Sequence, residues 1–158
     1  MRVRQLQELG RIIGYMSGEL RYRREILAQA FESISKKCSV PFSGWLDELS
    51  KRLDRNLRLR MDDEYMRMEN TDFQSLWKKS ADDFYLQSGL KREDMEYIYN
   101  LGQTIGYLDV QAQEQGLLLL QGDLNRHIQR LEDEMHERIR VAMILGAVLG
   151  ILLVIIFV

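Results

Sequence analysis

His127 and His136 are the only histidines of the chain, and they stand nine positions apart. On a helix that spacing puts them on different faces, so they cannot share a metal ion. Glu132 lies four residues before His136, a distance that pairs side chains on a helix, yet the His-Glu-x-x-His zinc pattern is absent. A solvated helix face is the reading this leaves for both histidines. The acidic pairs Asp62-Asp63 and Asp82-Asp83 look like carboxylate dyads, but adjacent residues on a helix point apart, and helix-start or surface roles fit them better. Cys38 is the only cysteine, so an internal disulfide is excluded. Lys36, Lys37 and Ser39 around it include no histidine that would make it a nucleophile. No Ser-His-Asp arrangement has a local signature. The titratable residues converge on no reaction. The chain reads as a non-enzyme with no metal, no cofactor and no small-molecule substrate.

Two stretches remain that could bind. Arg21-Tyr22-Arg23-Arg24-Glu25 is the densest basic run, with an aromatic ring among the arginines. That combination can hold RNA or anionic lipid headgroups, and it also forms the polar face of a long helix. The net charge of −2 gives no overall pull toward nucleic acid. The second stretch, Leu101-Gly102-Gln103-Thr104-Ile105-Gly106, sets two glycines four apart where the pattern is helical, and each costs about 1 kcal/mol there relative to alanine. A membrane GxxxG face fails because charges flank it. A phosphate loop fails because no strand precedes it and no Gly-Lys-Ser/Thr follows. A helix end remains. Gly106 is expected as the left-handed residue that stops one helix, and Asp109 as the cap that starts the next. Gly102, one turn earlier, is expected where a neighbouring helix packs closely.

The elements that must position these residues are helices. Only one proline is present, Pro41, and β-branched residues are sparse outside the last segment. From Arg2 to about Ser35 the apolar residues Leu6, Leu9, Ile13, Met16, Leu20, Leu27, Phe31 and Ile34 recur at three- and four-residue steps, which predicts one helix. Lys36 to Gly44 breaks it, with Pro41 and Gly44 as turn formers. A second helix is expected from about Trp45 to Arg58. Thr71-x-x-Gln74 is a capping-box match that predicts a start at Asp72; that helix buries Phe73, Leu76, Trp77 and Phe84 or Tyr85, and stops at Ser88-Gly89. Another starts near Lys91. After Asp109, Leu117, Leu120, Leu124, Ile128, Leu131, Met135 and Ile139 keep one apolar stripe.

The mean hydropathy of −0.30 hides a split. Residues 1–140 are rich in charge, whereas Val141 to Val158 carries no polar side chain. As a helix that run spans about 27 Å, close to the hydrocarbon thickness of a bilayer. It is expected to be a C-terminal transmembrane helix, with residues 1–140 as a helical cytoplasmic domain standing on it. Arg126, Arg130, Arg138 and Arg140 before the apolar run place that domain in the cytoplasm by the positive-inside bias. No apolar signal segment follows Met1.

Taken together, the residues resemble the stage III sporulation protein AB family. The likeness begins at Arg4-Gln5-Leu6, continues through Gly18-Glu19-Leu20-Arg21-Tyr22, Ala30-Phe31 and Trp77, and is strongest at Leu101, Gly102, Ile105, Gly106, Asp109 and Gln113. Leu145-Gly146 and Gly150-Ile151-Leu152 are similar to the family's final membrane helix. The resemblance implies a bundle like the cytoplasmic domains of the type II secretion platform protein, the F component. It also implies a scaffold in a channel-like complex between mother cell and forespore. Its implied partners are the membrane, other stage III sporulation membrane proteins and a secretion-type ATPase, the AA protein. Family members usually begin with a further transmembrane helix, and Met1 lies about where that helix ends; either the start is internal to a longer gene or this member is tail-anchored. The family's Pro-Leu is Ile26-Leu27 here, which lengthens the expected first helix. A tail-anchored regulator or lipid-binding protein using Arg21, Tyr22, Arg23 and Arg24 is the alternative.

Overall fold

The computed structural model describes residues 1–22, 27–61, 70–106 and 109–157, with side chains described for all of these but 19–22, 56–61, 70–72, 154 and 157. Six helices and no strand make up the described chain: α1 Arg2–Tyr22, α2 Leu27–Ser35, α3 Phe42–Met61, α4 Asn70–Gln87, α5 Arg92–Ile105 and α6 Val110–Phe157. They pack as α2 on α3, α3 on α4, α4 on α5, α5 on α6 and α1 on α6, with α1 also touching α2 and α5. The all-α expectation holds.

The expected single first helix is two helices. As one rod its 34 residues would reach about 50 Å and could not bury both ends in one core. Leu6 and Ile34, near those two ends, are both fully buried in the same cluster, and α2 packs against α1. α3 begins earlier than expected, at Phe42. The carbonyls of Ser39 and Pro41 accept from the amides of Ser43 and Trp45, so the helical ladder starts at the proline and Gly44 lies inside the first turn rather than in a loop. The expected cap at Thr71 also fails, because Asn70 and Thr71 are already helical. Gln74, the other half of that capping box, donates instead to the carbonyl of Gly102 at 3.2 Å.

Aromatic rings fill the centre. Trp77 lies 5.7 Å from Phe31, 5.3 Å from Trp45 and 5.9 Å from Phe73, and Phe84 closes the group at 4.7 Å from Trp45. Both indole nitrogens are satisfied: Trp77 Nε1 donates to the Ile98 carbonyl at 2.9 Å and Trp45 Nε1 to Ser80 Oγ at 2.9 Å. Buried indoles need such partners. Phe84, and not the half-exposed Tyr85, is the core residue of the pair.

α1 runs antiparallel to α6, since Gln7 bonds Glu132 at 2.9 Å while Gly14 faces Gln121. Leu117, Leu120, Leu124 and Ile128 are buried against the bundle, but Met135 and Ile139 are exposed, so the apolar stripe outruns the body it packs on. Of its 48 residues, α6 buries only the first half; every described side chain from 133 onward is exposed. Among the described residues no helix is long and apolar enough to cross a membrane. The described side chains of the apolar run cover 141–153 and 155–156.

A Cβ added at Gly102 would lie 2.2 Å from the Trp77 indole, whereas one added at Gly122 meets nothing within 4 Å. Gly102→Ala should therefore destabilise the bundle by about 1–3 kcal/mol. Gly122→Ala, at the same chemical change, should raise stability by about 0.5–1 kcal/mol. Urea unfolding of both variants measures the contrast, and equal effects would show that the Trp77 contact is not what requires the glycine.

Candidate functional site

The corner between α5 and α6 gathers the residues that carry the family likeness. Leu101 and Ile105 are buried on α5. Gly106 caps the helix at φ −72° and ψ −7°, which is right-handed, and no described glycine has a positive φ. The left-handed stop expected at Gly106 is thus not used. The work of closing α5 is shared otherwise: the Gly106 amide donates to the Gly102 carbonyl at 3.1 Å, and Gln113, one turn into α6, donates from Nε2 to the Ile105 carbonyl at 2.9 Å. A side chain from the next helix satisfies an orphan carbonyl that a left-handed residue would otherwise help to satisfy. Asp109 caps α6 as expected, accepting from the amides of Gln111 at 3.1 Å and Ala112 at 3.3 Å. Tyr107 and Leu108, expected to fill the turn, lie outside the described residues.

Close approach explains a further glycine here. A Cβ at Gly116 would lie 2.6 Å from the Thr104 methyl carbon, so α5 and α6 meet across bare backbone much as α4 and α5 do at Gly102. The corner is a fastening. It presents donors and acceptors that are already paired with one another.

The second polar centre was not legible in the sequence. Asp94, fully buried on α5, accepts from Arg2 Nε at 2.7 Å and Arg2 Nη2 at 2.8 Å, from the Lys91 amide at 2.8 Å, and lies 3.0 Å from His127 Nε2. Arg2 also reaches Glu93. One carboxylate thereby ties α1, α5 and α6 together and caps the first turn of α5. His127 Nε2 also lies 3.5 Å from Arg2 Nη2, and its ring lies 5.4 Å from Tyr97. His127 therefore leaves the solvated face expected for it; only His136 is exposed. Burial pushes the Asp94 carboxyl up, but the bonds from Arg2, the Lys91 amide and His127 outweigh it and hold it below the ordinary carboxylate range. The same contact raises the Arg2 guanidinium.

Oxygen and nitrogen atoms of Glu93, Asp94 and His127 lie within 4.8 Å of one another, close enough to hold a metal ion. The Arg2 guanidinium bonds both carboxylates and supplies the positive charge itself. Residues 2, 94 and 127 are too far apart in sequence for any spacing rule to join them; the one local signal was an aspartate at the third position of a helix.

The other candidates are not brought to these centres. Arg21 and Tyr22 stand in the last turn of α1 with side chains outside the described residues, as are Arg23 and Arg24. Asp62 and Asp63 are outside them too. Asp82 accepts from the Tyr99 hydroxyl at 2.5 Å, and Asp83 pairs with Arg52 at 3.6 Å. Cys38 is half-buried and its thiol is pushed up to about 11 by desolvation, the reverse of what a nucleophile needs.

An all-helical bundle whose polar clusters fasten its own helices to one another is the class this geometry defines. The family model described as stage III sporulation protein AB matches residues 1–158, and the chain belongs to that family. It is similar to a solved structure described as stage III sporulation protein AB (SpoIIIAB), with a TM-score of 0.69, 21% identity, and coverage of 85% of this chain and 95% of that one. At that identity the likeness concerns the fold. No curated protein sequence matches.

Asp94 titrates lower in the folded chain than in the unfolded one, so its stabilisation is complete above the unfolded value near about 4. It is lost as pH falls through the lowered folded value. Acidification below about pH 4 should lower Tm, and Asp94→Asn should remove part of that dependence while costing about 2–3 kcal/mol at neutral pH. Thermal melts of both proteins across pH give the two slopes; identical slopes would assign the acid sensitivity to other carboxylates.

Proposed function

We propose that this protein is a non-enzymatic scaffold of the stage III sporulation machinery, anchored in the membrane by residues 141–158 with its bundle in the mother-cell cytoplasm. One observation carries the anchor. Beyond the bundle α6 continues with apolar side chains open on every side: Ile144, Leu145, Val148, Leu149, Ile151 and Leu152 are each more than half exposed. A helix apolar all round, with no protein packed on it, is matched to lipid. Arg138 and Arg140 immediately before it favour a cytoplasmic bundle. The antiparallel pairing of α1 with α6 brings Arg2 to the end of the bundle where α6 leaves it. A preceding membrane helix, as family members usually have, would enter at the same end.

Scaffolding rather than catalysis is supported by the polar clusters, which are paired internally. Docking of a secretion-type ATPase, and association with other stage III sporulation membrane proteins, rest on the family and on its likeness to the type II secretion F component. A fluorescent fusion should ring the engulfed forespore, and deletion of the gene should arrest spores after engulfment. A chain truncated after Arg140 should leave the membrane fraction on alkaline extraction. Normal sporulation of the deletion strain would overturn the scaffold reading, and membrane retention of the truncated chain would overturn the anchor.

A further inference from the structure

We infer that the groove where α6 leaves the bundle binds the headgroup of an anionic phospholipid, an inference that rests on the reading of residues 141–158 as a membrane anchor. The groove has a volume of about 450 Å³ and lies between the start of α1, the start of α5 and the 131–138 stretch of α6. Arg4, Lys91 and Arg138 line it together with the apolar Val3, Leu131 and Met135. Arg2 lines it as well, but its guanidinium is engaged by Asp94 and Glu93. Glu134 is the one carboxylate in the lining.

Two features select this ligand. First, the three remaining cations are exposed and none forms an ion pair among the described residues, so among these they outnumber Glu134, the one carboxylate of the lining. Second, position along α6 sets the depth. Arg138 lies about 4.5 Å and Met135 about 9 Å before Val141 at the helical rise. A headgroup layer extends roughly 5–8 Å beyond the hydrocarbon core, so phosphate oxygens of the adjoining leaflet are within reach of the long arginine and lysine side chains. Anionic lipid is also enriched at the cytoplasmic face, where juxtamembrane cations bind it. The groove would fix the bundle against the bilayer surface, using contacts on α1, α5 and α6 at once.

The test uses the full chain in nanodiscs of phosphatidylcholine alone or of phosphatidylcholine mixed equally with phosphatidylglycerol. Incorporation into the neutral discs reads the anchor. The difference in Tm between the two disc types reads the groove, because a ligand held by the folded bundle raises Tm. The expected result is a rise of about 3 °C with phosphatidylglycerol, which Arg4→Gln/Lys91→Gln/Arg138→Gln abolishes while its Tm in neutral discs stays that of the parent. Arg4→Lys/Arg138→Lys should keep the rise, and added salt should shrink it. Arg126→Gln/Arg130→Gln, on α6 but outside the groove, should leave it unchanged. Absence of a rise in the parent, the same rise in the triple glutamine variant, or its loss in Arg126→Gln/Arg130→Gln would each overturn the groove and leave the anchor standing. Failure to enter neutral discs would overturn the anchor and the groove with it.

Discussion

The Trp77 indole rests against the bare backbone of Gly102, and most of the bundle is arranged around that contact. Its ring touches Phe31 of α2, Trp45 of α3 and Phe73 of α4, while its nitrogen bonds the Ile98 carbonyl of α5. Four helices thus share one side chain. The indole can lie this close to α5 only where no Cβ intervenes, which ties the identity of residue 102 to the size of residue 77. Gly102 also offers its carbonyl to Gln74 of α4 and to the Gly106 amide, so a single residue sets both the spacing of α4 on α5 and the end of α5.

Polar fastening follows the same economy at the other end of α5. Asp94 is buried, and burying a carboxylate is unfavourable unless its oxygens are filled. Arg2, His127 and the Lys91 amide fill them, and in doing so lock α1 and α6 onto α5. The aromatic contact joins α2, α3, α4 and α5, and the ionic contact joins α1, α5 and α6. α6 can then extend as an unsupported rod, since its first half is secured both by apolar side chains and by His127.

Much of this was legible in local pattern. The apolar stripes marked buried residues of α1, α2 and the first half of α6, Asp109 announced the start of α6, and the glycine at 102 announced a close neighbour. Each of these rests on physics that acts within a few residues. Periodicity reports which face is apolar and says little about where the chain turns, so the stripe from Leu6 to Ile34 does not mark the break between α1 and α2. Glycine permits the left-handed conformation expected at Gly106, but Gln113, seven residues later, makes it unnecessary. Thr71 and Gln74 stand at capping-box spacing, but Gln74 bonds the Gly102 carbonyl across the helix pair instead.

By itself the sequence determined an all-helical chain, an apolar end segment and a capped corner between α5 and α6. These follow from propensity, periodicity and short-range hydrogen bonding, which do not depend on the rest of the fold. Only the tertiary structure decided that Arg2, Asp94 and His127 meet, that Trp77 is the neighbour Gly102 makes room for, and that Arg4, Lys91 and Arg138 face one groove. Such partners lie tens of residues apart, and what brings them together is the packing of helices whose order around the core no local rule contains.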